Sequence, residues 1–201
     1  YTFASALLQA EGLQEYIANY RRRMFASAAA VFWMFNDSWP TTHGWPTIDY
    51  YLRRKLSFYP VARAFRPVTL VLAPEGKEVV LFGVNDGPTE ARGEVELGLF
   101  CTRGGLEARR TLTVTLQPGT SQPLAALARR RLERLGHAGV YARLTTKGRL
   151  AAQTRLFVRR FHELGLDPRP RITVSRRGSR VRLASPVFVW GVCIDLEGGP
   201  G

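Results

Sequence analysis

The side chains best suited to chemistry crowd one stretch, residues 29–55, AAVFWMFNDSWPTTHGWPTIDYYLRRK. Trp33, Trp39 and Trp45 offer flat apolar faces and indole N–H donors, the means of holding a ligand that is apolar on one side and polar at its edge. Asn36 and Asp37 follow the first of them and are turn formers whose side chains bond nearby backbone. His43 titrates in the range of an acid or base but stands alone in the loop. Glu11 and Glu15 fall in a helical pattern, and Asp37 and Asp49 in turns. Spacing alone leaves Trp33 open between a core residue and a binding surface, and Trp39 and Trp45 open between rimming a pocket and pinning the loop.

The elements that must position these residues are readable on either side. Ala28 to Phe35 is apolar, uncharged and without a helical stripe, which predicts a strand buried on both faces, as in a parallel sheet. Trp-Pro at 39–40 and 45–46 keeps the loop extended, because the residue before proline avoids the helical region. Upstream, residues 2–23 place Phe3, Leu7, Ala10, Leu13, Ile17 and Tyr20 on one helical face, and Arg21 to Arg23 suit the negative end of the helix dipole. Downstream, Ser57 as N-cap puts Pro60 in a first turn, where no donor is lost, and the helix runs to about Phe65. Helix, strand, loop and helix make part of a β/α barrel, whose sites lie at the C-terminal ends of its strands.

The same residues carry a resemblance. FWMFNDSWP, then GWPTIDYY, then Lys55 resemble the last-strand signature of β-mannosidases and related members of glycoside hydrolase family two. LLQAEGLQEYIANYRRR is similar to the helix before that strand, and VARAFRPV resembles the join to the next domain. The close match covers about the first third of the chain. It implies the last helix–strand–helix of a (β/α)8 TIM barrel over 1–66, with Trp33 flooring a sugar subsite and Asn36, Trp39 and Trp45 beside it. It also implies a retaining exo-glycosidase, most simply a β-mannosidase acting on terminal non-reducing β-D-mannose, with no metal or cofactor. Such enzymes use two carboxylates about 5–5.5 Å apart. The resemblance puts both on earlier strands, outside this sequence, so the chain by itself is expected to be inactive. It departs from the family at Met34 and Gly44, where relatives tend to be polar and serine, which leaves mannoside, galactoside and glucuronide open.

From Pro67 the pattern alternates. VTLVLA, EVVLFGVND, EVELGLFCT, RRTLTVTL, GVYARLTT and AAQTRLFVRRF read as strands of an immunoglobulin-like β-sandwich over 67–163, with Asn85-Asp86-Gly87 and Arg103-Gly104-Gly105 as turns. Leu124 to Leu135 is left open between a helical excursion and a long loop. Residues 164–201 read as a linker and three strands, the start of a second β domain, with missing partners expected past Gly201. The sequence is therefore expected to be a piece of a longer polypeptide, which is its partner upstream and downstream.

The 201 residues have a formal net charge of +13, and 45% are hydrophobic. The arginines are scattered in short groups without a helix-turn-helix, zinc-finger or RRM signature, so an arginine-rich background outweighs a nucleic-acid partner. No apolar run is long enough for a membrane helix. Cys101 and Cys193 have no His or Cys neighbours, so they read as buried free thiols of a reducing, cytoplasmic setting rather than metal ligands. Two other readings stand beside the glycosidase: a non-catalytic carbohydrate-binding sandwich, which needs an exposed aromatic patch on its strands, and a basic nucleic-acid-binding domain.

Overall fold

The computed structural model describes residues 1–41, 44–134 and 138–194; His43 lies outside them. Helix α1 spans Thr2–Arg21 and α2 spans Phe58–Ala64. Strands β1 (Val68–Glu75), β2 (Glu78–Asn85), β3 (Ala91–Phe100), β4 (Leu106–Leu116), β5 (Thr120–Ala128), β6 (Gly139–Thr146) and β7 (Arg149–Phe157) follow, with a short helix α3 (Arg129–Arg134) before β6.

The seven strands form two antiparallel sheets in the orders β1-β2-β5 and β4-β3-β6-β7. Their alternating residues meet in one core, where Leu81, Leu97, Leu116 and Leu144 are fully enclosed. This is the sandwich that the alternation predicts. Asn85, also fully enclosed, organises the crossover from one sheet to the other. Its Nδ2 donates to Thr89 O (2.9 Å) and Leu116 O (3.0 Å), and its Oδ1 accepts from the Gly87 N–H (3.0 Å).

The undecided stretch from Leu124 divides between β5 and α3. Proline inside a strand is tolerated at an edge or a bulge, and Pro123 has both: β5 is an edge strand, and the β2–β5 register shifts between Leu81 and Phe82.

Arg21, read from sequence as a dipole partner, is the joint between α1 and the sandwich. It is 8% exposed. Its guanidinium donates to Ala64 O, to Arg66 O (2.7 Å), to Pro67 O (3.1 Å) and to the Asp86 carboxylate. One side chain thus holds the end of α2, the entry to β1 and the β2–β3 crossover. Arg22 pairs with Glu75 beside it, and the Ser121 hydroxyl donates to Arg22 O (2.7 Å).

The barrel strand predicted over 28–35 is not a strand here. A parallel barrel strand takes its ladder from neighbours on both sides, and no strand of the described residues lies beside this segment. It is nevertheless laid out with a two-residue period. Ala30 and Phe32 pack on Ile17, Val61 and Ala64 of α1 and α2. Val31, Trp33 and Phe35 point the other way and are exposed. So one face is half-buried and one is free, where the apolar composition predicted two buried faces. The Trp33–Met34 peptide is cis.

Three further expectations change. Ser57 does precede α2, but its side chain makes no capping bond and its enclosed hydroxyl has no hydrogen-bond partner among the described residues. Of the three strands expected after residue 164, two form a hairpin, β8 (Thr173–Arg177) and β9 (Arg180–Ala184), exposed throughout. Among the described residues the third does not form. Phe188 instead stacks on Phe100 (4.9 Å) and Trp190 on Phe161 (4.7 Å), because aromatic surface already exposed on the sandwich end offers better burial than a lone third strand. Finally, Cys193 is exposed and Cys101 half-buried. Cys193 belongs to the segment that failed to become a core strand.

Candidate functional site

The loop after the extended segment is built on a small backbone lattice. Asp37 N donates to Ile48 O and Ile48 N to Phe35 O, both at 3.1 Å, and Lys55 N donates to Thr47 O at 2.9 Å. Ile48 therefore bridges Asn36 in parallel and Arg54 antiparallel. The Thr47 hydroxyl adds a bond to Phe35 O (3.4 Å), and the Tyr16 hydroxyl donates to Val31 O (3.1 Å), tying the extended segment to α1. From the same helix, Gln9 Nε2 donates to Trp45 O (2.5 Å).

Asp37, Asp49 and Glu11 are each engaged in holding this region together. Asp37 is 6% exposed, and its Oδ2 lies 2.5 Å from Lys55 Nζ. Lys55 pairs with Asp37 and not with Asp49, which is taken by Arg53 in the tight turn that follows. Asp49 accepts from Arg53 N (2.8 Å) and Arg53 Nε (2.7 Å). Burial alone would push its carboxyl up; the Arg53 backbone bond, the Arg53 guanidinium and the Tyr51 N–H together hold it below the ordinary carboxylate range. Glu11 accepts from Arg155 and from Trp190 Nε1 (2.9 Å), fastening α1 to β7 and to the C-terminal segment. These arrangements explain structure and give none of the three carboxylates an acid–base partner. Among the described residues no three His, Cys, Asp or Glu side chains gather as a metal site would require.

Gly44 has a local reason. A Cβ there would lie 2.8 Å from Asp37 Oδ1, so a side chain would press on the buried carboxylate. Sequence reasoning noted Gly44 only as a departure. Its partner is seven residues away and reached through the fold of the loop, which spacing does not reveal. The same holds for Gln9.

Trp33, Trp39 and Trp45 are 69, 68 and 69% exposed. None of them stacks on another aromatic ring among the described residues. Asn36 is half-buried, and its Nδ2 donates to Asp37 O (3.3 Å). The four share one end of the extended segment but do not enclose a cavity. A cavity of about 800 Å³ on the α1 side of the loop is lined by Gln9, Pro40, Tyr50 and Arg53 and by none of the four. The arrangement offers three exposed indole faces around the end of a strand-like segment, on a loop braced at its base by Asp37, Ile48 and Lys55.

No family model matches the chain. A β-mannosidase B from Aspergillus flavus is 27% identical over 189 residues, covering 84% of this chain and 22% of that protein. A β-mannosidase B from Neosartorya fischeri is 33% identical over 96 residues, 41% of this chain and 11% of that protein. Among solved structures, a β-D-mannosidase from Dictyoglomus thermophilum superposes with a TM-score of 0.79 at 24% identity, over 90% of this chain and 23% of that one. An exo-chitosanase from Amycolatopsis orientalis does so with a TM-score of 0.58 at 17% identity, over 76% of this chain and 18% of that one. The chain is similar to a segment of β-mannosidases and spans about 22% of the length of the first of these relatives.

Proposed function

We propose that this β-mannosidase-like chain is the portion of a retaining exo-β-glycosidase that supplies the end of its catalytic barrel, one wall of the sugar subsite and the sandwich that follows. The observation carrying this reading is the two-faced segment 30–35. Ala30 and Phe32 lie against α1 and α2, as the outer face of a barrel strand lies against its helices, while Val31, Trp33 and Phe35 are left free on the face a barrel turns to its axis. The relatives are named β-mannosidases, which favours a terminal β-mannoside as substrate. The strand orders β1-β2-β5 and β4-β3-β6-β7 support the immunoglobulin-like type for residues 67–163, and the exposed β8–β9 hairpin supports a second β unit begun at 164–201.

In this mechanism Trp33 floors the subsite, with Asn36, Trp39 and Trp45 at its rim. An electron-rich indole face suits the flattened, positively charged sugar of the transition state. The two carboxylates that retention requires, about 5–5.5 Å apart, belong to other strands of the whole enzyme. Here Glu11, Asp37 and Asp49 are each committed to a structural cation.

A carbohydrate-binding sandwich is the weaker reading. Phe100 and Tyr141 are buried in the sandwich, and the large exposed aromatics concentrate before residue 67 instead. A nucleic-acid partner and a membrane partner are likewise outside this proposal, and two cysteines that form no disulfide among the described residues suit a reducing compartment. The test is hydrolysis of nitrophenyl β-mannoside by the whole polypeptide beside the 201-residue chain, with the matching galactoside, glucuronide and glucosaminide as controls. Preferential turnover of the mannoside by the whole polypeptide, and none by the chain, is expected. No turnover of any glycoside by the whole polypeptide overturns the proposal.

A further inference from the structure

A second cleft lies away from the tryptophan loop, between the two helices and the larger sheet, with a volume of about 930 Å³. Strand register builds one wall. Tyr141 and Arg143 alternate along β6 and pair with Arg155 and Gln153 of β7, so the four side chains stand on one face of the sheet. Opposite them, Glu11 and Gln14 of α1 and Tyr59 and Arg63 of α2 line the same space, each helix presenting residues three or four apart. Trp190 closes one side through its bond to Glu11.

The charges do not balance. Glu11 is the single carboxylate among the described lining residues, and it is taken by Arg155. Arg63 forms no ion pair among the described residues; Arg143 lies over the Tyr141 ring (5.5 Å) and opposite Glu96 in the β3–β6 register, but forms no ion pair with it, Glu96 instead accepting from the Tyr141 hydroxyl. Burial lowers the pKa of the Arg63 guanidinium, and repulsion from Arg66 and Arg155 adds to this, with Glu11 offsetting only part. A cleft of this size, with guanidinium groups free of ion pairs on two walls and the half-exposed Tyr59 ring beside Arg63 on α2, matches one class of ligand.

We propose that this cleft binds a sugar-sized anion bearing a carboxylate or a phosphate, with Arg63 and Arg143 holding the oxyanion and Tyr59 packing on the ring. The site is separate from the tryptophan loop and does not depend on the glycosidase reading.

Titration calorimetry of the 201-residue chain with glucuronate, inorganic phosphate and mannose tests it. Saturable binding of glucuronate or phosphate, weakened on the order of tenfold in Arg63→Gln and in Arg143→Gln, is expected, since one charge-assisted contact is worth about that factor. Tighter glucuronate identifies a carboxylate source and tighter phosphate a phosphorylated one. Thermal melts of both variants establish that they remain folded. Absence of saturable binding by either anion, affinity unchanged in both variants, or mannose binding as tightly as glucuronate would overturn the proposal.

Discussion

Lys55 Nζ lies 2.5 Å from Asp37 Oδ2, closing the base of the loop that carries Trp39 and Trp45. Both groups are largely withdrawn from water, so the pair is costly to break from one side. Lys55→Met strands a buried carboxylate and is expected to destabilise the chain by about 3–5 kcal/mol. Adding Asp37→Asn should recover a large part of that loss. Urea midpoints of the two single variants and the double variant measure it; purely additive losses would show that the pair is screened.

Arg21→Ala removes the donor shared by Ala64, Arg66, Pro67 and Asp86. The expected loss is about 2–4 kcal/mol, typical of breaking a buried polar network. Limited proteolysis should then cut the link after α1 first and leave the sandwich intact. A cleavage pattern identical to that of the unaltered chain would contradict the joint described here.

Gly44→Ala places a methyl group against Asp37 Oδ1. The expected cost is about 1–3 kcal/mol, the range for overpacking a tight site. In the Asp37→Asn background the steric term remains and the charge term disappears, so a smaller loss there separates the two.

Trp33→Ala and Phe32→Ala are neighbours with opposite expectations. Phe32 packs on the α1–α2 cluster, and its loss should cost about 3–5 kcal/mol in the 201-residue chain. Trp33 is mostly exposed there, so its removal should leave the melting temperature nearly unchanged. On the proposed glycosidase reading, Trp33→Ala in the whole polypeptide should lower kcat and kcat/KM together, on the order of 100-fold, as for a contact made mainly in the transition state. A normal kcat with a collapsed melting temperature would make Trp33 a packing residue instead.

Tyr141 gives a pH dependence. Burial, then its hydroxyl bond to Glu96 (2.7 Å) and the charge of Glu96, raise its pKa to about 12. A folded-state pKa raised above the unfolded value near 10 contributes stability that is fully present below about pH 10 and is lost as pH climbs toward 12. Ultraviolet titration should show a tyrosinate step at about pH 12 that is missing in Tyr141→Phe. The stability difference between the two proteins should shrink over the same interval.

The sandwich was legible because its strands bury alternate residues, and alternation survives in sequence. The strand β5 was not, because Pro123 argues against a strand unless the edge position and the bulge are already known. The segment 28–35 misled for a different reason. An apolar run shows that both faces avoid charge, but it does not show which face has a partner within the chain. The candidate site residues stood out by type, while the residues that brace their loop did not. Gln9, Lys55 and Gly44 act through contacts at long separation or through the shape of the loop, and Arg21 looked like a helix-end charge until its four acceptors were in place.

The two-faced segment also makes the chain sensitive to reading length in a way that substitutions do not expose. Ala30 and Phe32 alternate with Val31, Trp33 and Phe35 between fixed ends, one anchored by α1 and the other by Ile48. Loss of a single codon between Ala28 and Asn36 would exchange the two sets, turning an indole toward the helices and Phe32 to the open side. Loss of two codons would restore the facing and shorten the span by about 6.6 Å. In-frame deletions here should therefore be tolerated by parity, an inheritance rule set by backbone pleat rather than by the identity of any residue.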